Sequence, residues 1–133
     1  MSSLEIVKSL TPRLQEFHFG ELQGIVEIPI PKMTAVEKES NIKALNGYAI
    51  KYEKADFEIL IGSTSIILCS INPKVGERWF VEIPLIMALL EESEQRGFSL
   101  FISYKLNIID EEGLQYRFGF VHQDGCMVKK HTA

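Results

Sequence analysis

The side chains best suited to chemistry lie near the end of this 133-residue chain, where His122, Asp124 and Cys126 alternate. A thiol, an imidazole and a carboxylate are the parts of a cysteine nucleophile. The imidazole takes the thiol proton and the carboxylate orients the imidazole. The pair must approach within about 3 Å to do so. On an extended strand, residues two apart are separated by ~6.8 Å and residues four apart by ~13.5 Å. An extended strand therefore keeps Cys126 away from His122, and Asp124-Gly125 between them reads as a turn. A metal would need a further ligand at a diagnostic spacing, and the chain offers none. The trio is expected to be a strand end.

Other groups are weaker. His18 and Glu21 flank Phe19-Gly20 at a helix exit, where the helix dipole favours a histidine. Glu91-Glu92-Glu94 and Asp110-Glu111-Glu112 could pair carboxylates, but a general acid needs burial to raise its pKa. Both clusters sit on segments that read as solvated. They are expected to be wet faces, with Glu91, Glu92 and Glu94 as a docking patch for a basic partner. Arg78-Trp79-Phe80 joins the only tryptophan to an arginine and a second aromatic. These types dominate binding hot spots and also fill core corners. No dinucleotide loop, Gly-Lys-Ser/Thr phosphate loop or Gly-x-Ser-x-Gly elbow is present.

Composition narrows the classes. Fourteen Lys and Arg stand against eighteen Asp and Glu, a formal charge of −4. Nucleic-acid affinity comes largely from phosphate neutralisation, so this balance argues against a nucleic-acid binder. The one basic run, Lys129-Lys130-His131, reads as a solvated, frayed tail from about residue 124. Cys69 lies in an apolar run and behaves as a small hydrophobe, and neither thiol has C-x-x-C or zinc spacing. No secretory signal opens the chain, and the longest apolar run, Ile83 to Leu90, is too short to span a bilayer. The expected setting is cytoplasmic, without membrane, metal or cofactor.

The elements that must position these groups follow from periodicity. Ser2 and Glu5 have capping-box spacing ahead of Leu4, Val7, Leu10, Leu14 and Phe17, one face of a helix. Pro12 predicts a kink or a break there, with Thr11 capping a second turn. Leu22 to Ile30 reads as a strand that Pro29 and Pro31 push to a sheet edge. Residues 32–46 read as helix, loop or strand, with Asn46-Gly47 as a competing hairpin turn. Tyr48-Ile50-Tyr52 and Phe57-Ile59-Ile61 alternate as half-buried strands, and Ile66 to Ile71 is a continuous apolar, central strand. Arg78 to Glu82 could form a short strand.

Pro84 opens a second helix over about 84–96, closed by Gly97, and its second half reads as wet. Phe98 to Ile109 and Leu114 to Val121 alternate as a long C-terminal hairpin over about 98–122, turned by Asp110-Glu111-Glu112-Gly113. The size prior gives one domain for residues 1–133. The expected fold is α+β: a mainly antiparallel sheet with an N-terminal helix and a second helix inserted before that hairpin.

No polar constellation converges, so the expected function is a non-catalytic protein-binding domain. It would be an adaptor, an inhibitor or immunity protein, or a secretion chaperone. Docking would use Arg78, Trp79, Phe80, Glu91, Glu92 and Glu94 against a protein partner of basic character. The apolar breadth of Leu85 to Leu90 also admits a homodimer. The alternative is a small-molecule-binding domain or small enzyme with a pocket between sheet and helices, its inner polar candidates being Ser70, Arg117 and His122.

Overall fold

The computed structural model describes residues 2–29, 44–74, 81–103, 106–123 and 125–131. Within them lie three helices, α1 (Ser3–Gln15), α2 (Ile83–Gln95) and α3 (Glu111–Phe118). Seven strands form one sheet: β1 (Leu22–Glu27), β2 (Asn46–Tyr52), β3 (Ala55–Ile61), β4 (Ser65–Pro73), β5 (Ser99–Ser103), β6 (Val121–Gln123) and β7 (Cys126–Lys129). Their order across the sheet is β1-β2-β3-β4-β5-β7-β6. Every pairing is antiparallel except β4 with β5, which are parallel and joined through α2. The α+β class follows. No helix among the described residues is long and apolar enough to cross a membrane.

One face of the sheet carries the main core. Tyr48, Ile50, Phe57, Ile59, Ile66, Leu68, Leu100, Ile102 and Met127 cluster there with Ile6, Val7, Leu10 and Leu14 of α1, Leu85, Ile86 and Leu89 of α2, and Leu114 of α3. Alternation sends Leu60 and Ile67 to the other face, where they pack with Ile28 and Cys69. Beyond α1, Phe19 sets its ring edge-on against Phe57, with centroids 4.8 Å apart. Ile86 is buried in the main cluster, so much of the breadth of Leu85 to Leu90 is taken up internally, and Met87 is the exposed apolar residue on that run.

Helix α1 runs through Pro12 without the expected break. The ring nitrogen cannot donate to the Lys8 carbonyl, the bond normally made four residues back. The Thr11 hydroxyl donates to that carbonyl instead, at 2.8 Å. Ser2 caps the start as expected, accepting from the Glu5 amide.

Asn46-Gly47 is no hairpin turn. Asn46 pairs with Ile61 and Gly47 with Leu60 inside β2. A Cβ on Gly47 would meet the Leu60 side chain at 2.7 Å and Ile28 at 3.3 Å. Glycine is there to let those side chains close over the strand, not to supply a positive φ. Residues 32–43 lie outside the described residues.

The long C-terminal hairpin is replaced by β5, a helix and a short hairpin. Asp110 caps α3, its carboxylate accepting from the Gly113 amide at 3.1 Å, and Gly119 closes the helix at φ 74°. Leu114 and Phe118, four apart, face the core, whereas Tyr116 between them is 86% exposed. The segment read as a frayed tail instead supplies β7, with Cys126, Met127 and Val128 fully buried between β5 and β6. At α2 the expected boundaries hold, with Pro84 in the first turn and Gly97 at φ 70° beyond Arg96. Its second half is not uniformly wet: Glu92 and Ser93 are buried.

Candidate functional site

The parallel ladder between β4 and β5 is short. β4 and β5 are in register from Ser65 opposite Ser99 to Leu68 opposite Ile102. β4 then continues five residues, to Pro73, paired with β3. The register between β3 and β4 shifts at that point, because Ile59 faces Leu68 while Glu58 faces Ser70. Cys69 is therefore the extra residue of a β-bulge. A bulge bends its strand and raises the local twist, and this one directly follows the last residue of β4 that pairs with β5.

Beyond the strand ends, the chain entering α2 meets the chain leaving β5. The Val81 amide donates to the Asn107 carbonyl at 2.7 Å, and the Ile109 amide donates to the Val81 carbonyl at 2.9 Å. The N-terminus of α2 lies next to this bridge. Glu82 is its N-cap residue and makes no side-chain cap hydrogen bond. Pro84 brings no N–H, so the first-turn donors are the amides of Ile83 and Leu85. The carboxyl ends of the parallel strands and the start of a 13-residue helix thus lie at the same end of the sheet.

The polar end of β4 is tied to β3 and β1. The Asn72 amide nitrogen donates to Ser70 Oγ and to Glu58 Oε1, each at 3.1 Å. Lys74 holds Asp56 at 3.3 Å and Gln23 at 2.8 Å. Of the inner polar candidates, Ser70 alone belongs here. Arg117 lies exposed on the last turn of α3, and His122 is exposed on β6.

The other flagged residues are scattered. His122 meets Gln115 and, at 3.7 Å, Glu111, both on α3. Its cross-strand partner is Met127, while Cys126 opposes Gln123, so alternation puts His122 and Cys126 on opposite faces. Asp124 and the Arg78-Trp79-Phe80 group lie outside the described residues. His18 is exposed in the left-handed region at φ 67°, beyond the end of α1. Among the described residues, no group of three or more His, Cys, Asp or Glu side chains is placed to hold a metal ion.

The acidic cluster divides. Glu91 binds Arg13 of α1 at 2.6 Å. The hydrogen bond to Glu91, reinforced by the nearby carboxylates, raises the Arg13 pKa above its ordinary value. Glu92 reaches Arg96 at 2.7 Å and Arg13 at 3.6 Å. Arg96 also donates to Ser9 of α1 at 2.6 Å. The pair Glu91 and Glu92 thus clamps α2 to α1, and Glu94 is left exposed. Sequence spacing could not separate the three, because which carboxylate meets an arginine depends on how the helices cross.

Two shallow grooves flank the α2–β5 connection. One, of about 390 Å³, is lined by Ile6, Gln95, Arg96 and Phe98. The other, of about 280 Å³, is lined by Leu90, Glu94, Phe98, Lys129, Lys130 and His131.

No protein-family model matches the chain, and no curated protein matches it. Among solved structures, an NMR structure of the Escherichia coli protein YhhK, assigned as an N-acetyl transferase and bound to coenzyme A, matches with a TM-score of 0.36 and 16% identity. That match covers 83% of this chain and 98% of the other. The expectation of a non-catalytic protein-binding domain is set aside for its alternative, since two of its docking carboxylates, Glu91 and Glu92, are taken up by Arg13 and Arg96.

Proposed function

We propose that the chain is a small-molecule-binding domain or small enzyme whose ligand enters an opening where β4 runs on past its last pair with β5. The observation that carries this reading is the bulge at Cys69, placed directly after the last β4–β5 pair. In sheets with parallel strands, ligands settle in the crevice beyond the carboxyl ends of the strands. Here that crevice lies beside the N-terminus of α2, whose uncapped amides and dipole favour an anionic group. In this reading an extended ligand arm lies along the stretch of β4 from Ser70 to Pro73. An extended molecule that carries phosphate suits both features. Residues 1–133 act as one domain in this reading, with the three described helices and the sheet sharing the main core. Two buried cysteines suit a reducing, cytoplasmic setting.

Coenzyme A, the ligand of the E. coli structure, has both a phosphate group and an extended arm and is the first probe. Titration of acetyl-coenzyme A into isotopically labelled protein should shift the amides of Cys69 to Asn72, Val81 to Leu85 and Leu106 to Ile109. Adenosine 3′,5′-bisphosphate alone should shift the second set more than the first. A panel of coenzyme A, nucleotides and phosphorylated metabolites that leaves these amides unmoved would overturn the reading.

A further inference from the structure

The Lys129-Lys130-His131 run has a place in the fold that its terminal position in the sequence concealed. Lys129 ends β7 opposite Leu100, and the His131 amide donates to Ser99 Oγ at 3.1 Å. The run is therefore laid along the start of β5 rather than left free. His131 stands over Gly97, where a Cβ would lie 3.5 Å from its Nε2. Lys129 stands over Gly119, where a Cβ would lie 3.2 Å from its Nζ. These basic residues form one side of the 280 Å³ groove, with Leu90 and Phe98 supplying apolar surface and Glu94 the opposing carboxylate.

The charge balance of this groove runs against that of the molecule. The chain as a whole carries −4, yet in the groove two lysines outnumber one glutamate, and His131 adds charge when protonated. Among the described residues, neither lysine nor Glu94 is engaged in an ion pair. Elsewhere on α2 the opposite holds, since Glu91 and Glu92 are both paired with arginine. Cations that outnumber the one carboxylate of the groove and are grouped over apolar surface complement a ligand with a negative head and an apolar body. The volume lies just under the range of about 300–1,000 Å³ usual for drug-sized ligands, which limits the occupant to a small molecule.

We propose that this groove binds a small carboxylate with an apolar body, its head toward Lys129, Lys130 and His131 and its body on Leu90 and Phe98. The site is distinct from the β4–β5 opening. It lies at the amino end of β5, whereas the opening lies past the carboxyl end, so the two sites succeed or fail separately.

Octanoate is the probe, with octanol as its uncharged match. Octanoate should give saturable amide shifts at Leu90, Glu94, Phe98, Ser99, Lys130 and His131, weakened by added salt. Octanol should bind there at least several-fold more weakly. In the Lys129→Gln/Lys130→Gln double variant the octanoate Kd should rise about fivefold, the scale of one or two exposed charge contacts. Lys130 is exposed beyond the end of β7, so Lys130→Gln alone keeps the strand intact and should raise Kd about twofold. Absence of saturable shifts at these amides, equal binding of octanol, or an unchanged Kd in a variant with a wild-type spectrum would each overturn the proposal.

Discussion

Replacing Tyr52 by Phe isolates one buried group with opposite effects at neutral and alkaline pH. Tyr52 is fully buried in the main core, and its hydroxyl donates to the Thr11 carbonyl at 2.7 Å, tying β2 to α1. Losing that hydrogen bond should cost about 1 kcal/mol at pH 7. Burial also raises the tyrosine pKa well above its ordinary value, because the phenolate would have to form away from water. In the unfolded chain the same group titrates near pH 10. A group whose pKa is raised on folding contributes stability that is intact below the unfolded value and lost as pH climbs above it.

For one proton, that loss is about 0.4 kcal/mol at pH 10 and about 1.4 kcal/mol at pH 11. The stability curves of the wild type and Tyr52→Phe should therefore cross near pH 10.7, where the alkaline loss equals the hydrogen bond. Urea unfolding followed by circular dichroism from pH 7 to pH 11 measures the difference directly. Titration of the lysines and of Tyr48, whose pKa burial also raises, is common to both proteins and cancels. A difference that stays constant across this range would refute the reasoning, since it would mean that Tyr52 ionises as readily folded as unfolded.

Two further perturbations test the helix pair. Glu92→Ala should cost about 2–4 kcal/mol, because it leaves Arg96 nearly buried without its partner, whereas Glu91→Ala, at a side chain 54% exposed, should cost below about 1 kcal/mol. Equal losses in thermal unfolding would show that burial does not rank the two ion pairs. Thr11→Val should cost about 1 kcal/mol by leaving the Lys8 carbonyl without its hydroxyl donor, and adding Pro12→Ala should recover most of it through a restored backbone N–H. A double variant no more stable than Thr11→Val would refute the account of how α1 tolerates its proline.

Much of the architecture could be read from local pattern. β2 and β3 bury the side chains their alternation marks, because one face of each strand meets a core while the other is less covered. α2 begins and ends where Pro84 and Gly97 place its limits, since these two residues act on their own backbone. Local chemistry also held the answer at α3. Asp110 and Gly119 are a cap and a stop, but an eight-residue segment with Leu114, Tyr116 and Phe118 fits a period of 2 as well as it fits one turn-to-turn contact. Only the burial of Leu114 and the exposure of Tyr116 distinguish them.

The candidate site was far less legible. A run such as Ile66 to Ile71 is apolar at nearly every position, so nothing in it marks Cys69 as the residue where β4 bulges just past its last pair with β5. That β4 and β5 are parallel, and that β7 lies between β5 and β6, are matters of chain path and not of residue type. What the residues determine unaided is each segment's own preference, because turns, caps and apolar periods act over a few bonds. Which carboxylate meets an arginine, where a strand bulges and whether three basic residues at the end of the chain dangle or line a groove depend on surfaces distant in sequence. Those outcomes exist only once the layers have packed.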